Sequence, residues 1–179
     1  GAMENITGNT GGYPAAIAFD GTNMWTADYD GNSVTRITPS GDFWNITGIG
    51  RGPNSIAFDG TNMWTANSWD SSVTKITPTG TKTTYTGTGG RPYGIAFDGV
   101  NMWTANREGS SVTKITPSGA MENITVTGNN PWGIAFDGTN MWTADYNGPY
   151  GGSVTRITPS GDMWTIEGVG RWPNCIAFD

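Results

Sequence analysis

The sequence predicts an all-β fold, a β-propeller built from four-stranded antiparallel blades of about 39 residues, and three observations carry that prediction. The words IAFDG, one further residue, then NMWTA begin at Ile17, Ile56, Ile95 and Ile134, and the opening IAFD returns at Ile176. The prolines ahead of these words, Pro14, Pro53, Pro92, Pro131 and Pro173, are spaced by 39, 39, 39 and 42 residues. A period near 40 without a helical pattern marks a radial array of blades, because solenoid repeats of that length are mostly helical. Third, 28 glycines, recurrent threonine and a charged fraction of only 13% favour strands and tight turns.

Each repeat divides into four runs, named A to D here. In the first copy they are AAIAFD, then NMWTAD after the turn DGTN, then SVTRIT, then FWNIT after PSGD. Alternation in A sets Ile17 and Phe19 on one face against Ala16 and Ala18 on the other, so both faces suit burial between blades. In B, Trp25 and Ala27 oppose Met24 and Thr26, which makes Trp25, Trp64, Trp103 and Trp142 core wedges. Run D varies most (FWNIT, KTTYT, MENIT), as suits an outer edge. Full repeats span 14–52, 53–91, 92–130 and 131–172, the last carrying three extra residues within YNGPYGG. Surplus strands remain at 1–13, a D strand and its loop from Met3 to Tyr13, and at 173–179, an A strand. Gly1 to Met3 reads either as a cloning remnant or as repeat sequence, since GAMENIT recurs at 119–125.

Composition narrows the function. A net charge of −6 argues against a nucleic-acid partner, which demands clustered Lys and Arg. No apolar run is long enough to span a bilayer, and no membrane partner is expected. Cys175 is the single cysteine, so an intrachain disulfide and a thiolate metal site are excluded. The aspartates of the DG turns stand one to a repeat, without the dense acidic spacing of a calcium cage, so no cofactor and no structural metal are expected. The NIT triplets at Asn5, Asn45 and Asn123 match a glycosylation acceptor but recur because run D recurs.

The pattern P-x-x-IAFDG-x-NMWTA followed by SVT[RK]ITP[ST]G resembles the repeats of virginiamycin B lyase and its NHL-like propeller relatives. The resemblance covers all four repeats and implies their fold. It also implies an elimination that opens a lactone, carried out in those relatives with histidine, acidic residues and magnesium. This chain has no histidine, so none of the family's catalytic histidines maps onto it. Elimination needs a base whose pKa lies near the working pH, and imidazole is the side chain that supplies one unperturbed. Asp28, Asp145 and Glu108 are the carboxylates left for that role, and they read as solvated loop acids.

In a meander the D–A and B–C loops emerge on one face and the A–B and C–D turns on the other. The A–B turns (DGTN, DGVN) and C–D turns (TPSGD, TPTGT, TPSGA) are nearly constant, as backbone preference alone demands. The D–A/B–C face diverges and carries the candidate ligand-binding residues Tyr29, Trp69, Arg107 and Tyr146 from B–C loops, and Arg91, Tyr93, Trp132, Arg171 and Trp172 from D–A loops. Such plates and guanidinium groups suit a glycan or a protein. The leading expectation is a non-catalytic binding or self-assembling scaffold. A divergent lyase-like carbon–oxygen lyase is the enzyme alternative. A recently amplified or engineered propeller without an evolved ligand is the third, and the near identity of copies one and four fits it. Four blades make an unusually small ring, so two chains joined head to tail are expected to close one of about eight blades, with strands contributed across the chain boundary.

Overall fold

The computed structural model describes residues 11–126, 128–148 and 151–178. Within them the strands form four sheets, each a meander in which sequence neighbours pair antiparallel. Blade 1 holds β1 (Pro14–Phe19), β2 (Met24–Asp28), β3 (Ser33–Ile37) and β4 (Phe43–Thr47). Blade 2 holds β5 (Pro53–Phe58), β6 (Met63–Asn67), β7 (Ser72–Ile76) and β8 (Lys82–Thr86). Blade 3 holds β9 (Gly90–Phe97), β10 (Met102–Glu108), β11 (Ser111–Ile115) and β12 (Met121–Thr125). Blade 4 holds β13 (Pro131–Phe136), β14 (Met141–Gly148), β15 (Gly151–Ile157) and β16 (Met163–Glu167). The leading D strand expected at Met3–Thr7 lies outside the described residues, as does Tyr150.

The turns follow their residues. In the C–D turn, Gly41 N–H donates to Thr38 C=O at 3.0 Å across Pro39 and Ser40, with Gly41 at φ 90°. Proline fixes the first corner and glycine takes the left-handed one, and the same bond closes the turns at Gly80, Gly119 and Gly161. In the A–B turn the aspartate caps the corner: Asp20 Oδ1 accepts from the backbone of Thr22 at 2.8 Å and of Asn23 at 2.6 Å.

That aspartate also binds the tryptophan. The Trp25 indole N–H donates to Asp20 Oδ2 at 2.6 Å, and Trp64–Asp59, Trp103–Asp98 and Trp142–Asp137 repeat the bond at the same length. The sequence reading assigned the DG aspartates to turn formation alone; they also satisfy the one polar atom of each core wedge, which a buried indole requires.

The core sits between blades. Trp25, Ala27 and Val34 of blade 1 pack on Ile56, Met63 and Ile76 of blade 2, and the same three-on-three cluster recurs between blades 2 and 3 and between blades 3 and 4. Trp25 and Trp64 are 1% exposed and Trp103 5%, so they are the expected wedges, while Trp142 of the last blade is only half-buried. The outer strands are edges with largely exposed residues, as expected of run D, and leave Trp44 and Trp164 open to solvent.

Trp103→Ala is expected to lower unfolding free energy by roughly 3–5 kcal/mol, as truncation of a packed aromatic does. In the single, unassembled chain Trp142→Ala should cost clearly less, since Trp142 is only half-buried there. Urea melts of the two variants check both, and a loss under about 1 kcal/mol for Trp103→Ala would remove it from the core.

Candidate functional site

The D–A and B–C loops of one blade are tied to each other by backbone bonds. Tyr29 N–H donates to Tyr13 C=O at 2.9 Å, Trp69 N–H to Arg51 C=O at 3.2 Å, and Tyr146 N–H to Asn130 C=O at 3.0 Å. Neighbouring blades are stitched too, by Gly52 N–H to Asn32 Oδ1 at 2.8 Å. The residue before each blade's proline holds a left-handed backbone whatever its type: Tyr13 (φ 39°), Gly52 (63°), Arg91 (51°), Asn130 (54°) and Trp172 (57°). For Tyr, Arg and Trp this conformation is strained, and the loop scaffold holds it against that cost.

The structure gathers most of the candidates into two aromatic groups. In the first, Tyr29 meets Trp69 of the next blade edge to face at 5.4 Å between ring centres, and the Trp69 indole N–H donates to the Tyr29 hydroxyl at 2.7 Å. Tyr13 packs on Tyr29 at 6.3 Å, and the Arg51 guanidinium lies 5.5 Å from the Trp69 ring. In the second, Tyr93 lies 5.1 Å from Trp132, Trp132 lies 4.6 Å from Tyr146, and Tyr146 stacks on Trp172 at 6.2 Å. Arg107 covers both Tyr93 and Trp132, 5.5 and 5.1 Å from their centres. Arg91 of β9 pairs with Glu108 of β10 at 3.2 Å, both strand residues rather than loop residues. Arg171 is exposed and joins neither group among the described residues.

Two of these rings, Tyr93 and Trp132, line the concave side of the arc. The inner strands of all four blades, together with Asn174–Ile176, line a cavity of about 440 Å³. At the position after each blade's proline its wall carries Ala15, Asn54, Tyr93, Trp132 and Asn174. Tyr93 and Trp132 thus belong both to the cavity wall and to the second aromatic group.

Two carboxylates are placed differently from the expectation. Asp28 and Asp145 are not solvated loop acids but the last inward residues of strand B, with no exposed surface. Asp28 accepts from the hydroxyls of Thr26 (2.7 Å), Thr35 (2.7 Å) and Ser33 (3.3 Å), and Asp145 from Thr143, Thr155 and Ser153 in the same way. In blades 2 and 3, Asn67 and Asn106 take this position, accept from Thr65 and Thr104, and donate to Ser72, Thr74, Ser111 and Thr113. A glycine of the D–A loop lies over each hub: a Cβ at Gly128 would fall 2.0 Å from Asp145 Oδ2, and one at Gly50 2.4 Å from Asn67 Nδ2. The signal for this hub was in the repeats as T-x-[DN] followed by S-x-T, at Thr26, Asp28, Ser33 and Thr35 and their copies. Strands β10 and β14 run on past it, so Arg107 and Tyr146 are strand residues rather than loop tips. Glu108 is exposed, as expected.

Burial pushes the Asp28 and Asp145 carboxyls above their ordinary value, and the three hydroxyls on each only partly offset it. In Asp20 the balance reverses: desolvation also opposes ionisation there, but the Asn23 and Thr22 backbone N–H groups and the Trp25 and Asn23 side chains outweigh it and hold the pKa down to about 2. Among the described residues no three His, Cys, Asp or Glu side chains gather as metal ligands would.

Comparison with solved structures reports the same architecture. A streptogramin B lyase structure superposes with TM-score 0.79 at 19% identity, over 90% of this chain and 57% of that one. Virginiamycin B lyase from Staphylococcus aureus gives 0.78 at 22% identity, over 93% and 60%. The chain has the blade fold of these propellers. The structure of U3-55K matches at TM-score 0.81 and 14% identity, over 93% and 55%. The chain therefore spans under two thirds of each of these proteins, and the likeness is one of fold. No family model and no curated protein matches the sequence.

The Asx hub yields a pH test. A folded-state pKa above the ordinary 3.8 means that ionised Asp28 weakens the fold above that pKa, and that the penalty vanishes as pH falls below 3.8. Blade 3 already shows the amide form, with Thr113 donating onward to Asn123, the counterpart of Asn45. Asp28→Asn should therefore melt higher than the parent at pH 7, on the order of a few degrees, with the gap closing below pH 3.8. Thermal melts across pH check this; a gap that widens on acidification refutes it.

Proposed function

We propose that the chain is a non-catalytic binding scaffold whose ligand, a glycan or a protein segment, lies against the aromatic groups of the D–A/B–C face. The observation that carries this reading is the double membership of Tyr93 and Trp132, which form cavity wall and stacked aromatic group at once under the Arg107 guanidinium. A cavity of about 440 Å³ is of ligand-binding size, and aromatic faces beside guanidinium and amide groups suit sugar rings and their hydroxyls, or the side chains of a docked segment.

The competing reading is a carbon–oxygen lyase like the virginiamycin B lyase whose blade fold the chain shares. Two facts weigh against it. The 179 residues include no histidine, and Asp28 and Asp145, sealed beneath loop glycines, have no surface with which to reach a substrate proton. Glu108, though exposed, is held by Arg91.

Glycan and peptide arrays test the scaffold reading, with the triple variant Trp69→Ala, Trp132→Ala, Trp172→Ala as control. Binding of the parent should fall at least about ten-fold in the variant while far-UV circular dichroism is unchanged, the scale expected on losing central aromatic contacts. Undiminished binding moves the site off this face, and lactone opening by the parent restores the lyase reading.

A further inference from the structure

The two outer blades each carry half of an interface that the chain builds three times internally. The A-strand isoleucine that meets the preceding blade is 6% exposed at Ile56, 7% at Ile95 and 8% at Ile134, but 60% at Ile17. Met63, Met102 and Met141 are 2–3% exposed, yet their counterpart Met24 is 37% exposed. Phe19 is open as well. At the other end, the Trp142 face of blade 4 borders a cleft whose far side, among the described residues, is Ile176, Ala177 and Phe178.

Those trailing residues are seated as an inner strand. A Cβ at Gly94 would meet Trp132 O and Ile134 N, at 2.6 and 3.2 Å; a Cβ at the equivalent Gly133 would meet Asn174 O and Ile176 N, at 3.0 and 3.2 Å. The segment thus lies on blade 4 as β13 lies on blade 3. Its lead-in GVGRW has the length of GIGRG before β5, and Trp172 takes the left-handed backbone of every other lead-in. Among the described residues it has no B strand beside it and so forms no ladder of its own.

We propose that a second copy of this chain supplies that B strand: Pro173–Phe178 pairs with β2 of the second copy in place of that copy's β1, and two such joints close a two-fold ring of eight blades. PNCIAF and PAAIAF offer β2 the same ladder, so the exchange is close to neutral in hydrogen bonds. It releases a β1 whose Ile17 and Phe19 are already exposed, and it gains burial of Met24 against Trp142. The partner's Pro39 carbonyl also comes to Arg156, as Pro78 C=O accepts from Arg36 at 3.4 Å across the joint between blades 1 and 2. A head-to-tail contact whose rotation closes gives a ring rather than a filament.

Light scattering at micromolar concentration should give twice the chain mass of 19.0 kDa. Met24→Glu, at a position open to solvent in the single chain, should halve that mass without lowering the helix-free dichroism signal, and deletion of residues 173–179 should do the same. For the strand exchange, Cys175 corresponds to Ala16, which faces Ala27. Ala27→Cys should therefore give a disulfide-linked dimer on a non-reducing gel. A parent of 19.0 kDa overturns the ring, as does a mass that climbs past the dimer with concentration. A dimer that persists in Met24→Glu overturns the joint, and a dimer without the disulfide overturns the exchange. Assembly and rim binding fail separately, since Met24 lies on an inter-blade face while Trp69 and Trp132 make their rim contacts within one chain.

Discussion

Everything in this molecule depends on one directional contact, the tryptophan face of a blade against the isoleucine and methionine face of the next. A single four-stranded sheet buries neither face, so no blade is stable alone; each obtains its core from a neighbour, as in other repeat architectures. The contact is polar in sense, with indole on one side and branched or thioether side chains on the other. An array of such blades therefore always ends with one face of each kind, and those ends are complementary by construction.

Two polar devices make the contact specific without weakening it. At the A–B end, the DG aspartate takes the indole N–H and the turn amides together, so the wedge enters the core with its polar atom satisfied and its orientation fixed. At the opposite end, the Asx hub ties strands B and C through their serine and threonine hydroxyls under a loop glycine. The hub tolerates Asp or Asn because the hydroxyls rotate: they donate to a carboxylate, or accept from an amide and pass the proton outward to Thr84 or Asn123. The carboxylate version bears a desolvation cost that the amide version avoids.

The blade fold was legible because period, turn chemistry and two-residue alternation all agree at every copy. The wedges were legible too, being large apolar residues at one strand position. What escaped the sequence reading was polar and buried. Asp28 and Asp145 sit where a hydrophilic residue after WTA suggests a loop, but β2 and β14 carry them inward, and only the recurring words T-x-[DN] and S-x-T hinted at enclosure. At the rim, residue types announced aromatic contact, but not that the rings divide into two groups or that Tyr93 and Trp132 also line the cavity. Those facts depend on which loops become neighbours across blades, and strand pattern within one repeat does not encode that.

The break between the two rim groups lies inside the arc, between Trp69 of blade 2 and Tyr93 of blade 3. Tyr13 and Trp172 are equivalent, each the left-handed residue before its blade's proline, and Tyr13 packs on Tyr29. In the proposed ring, where Pro173–Phe178 would replace β1 of a second copy, Trp172 would take the place of that copy's Tyr13 and come against its Tyr29. The chain of rings Tyr93, Trp132, Tyr146 and Trp172 would then continue into the other copy's Tyr29 and Trp69. The joint proposed to bury the blade faces would thus also link the second aromatic group of one copy to the first group of the other, so closing the ring would lengthen the surface available to a ligand instead of merely hiding apolar area.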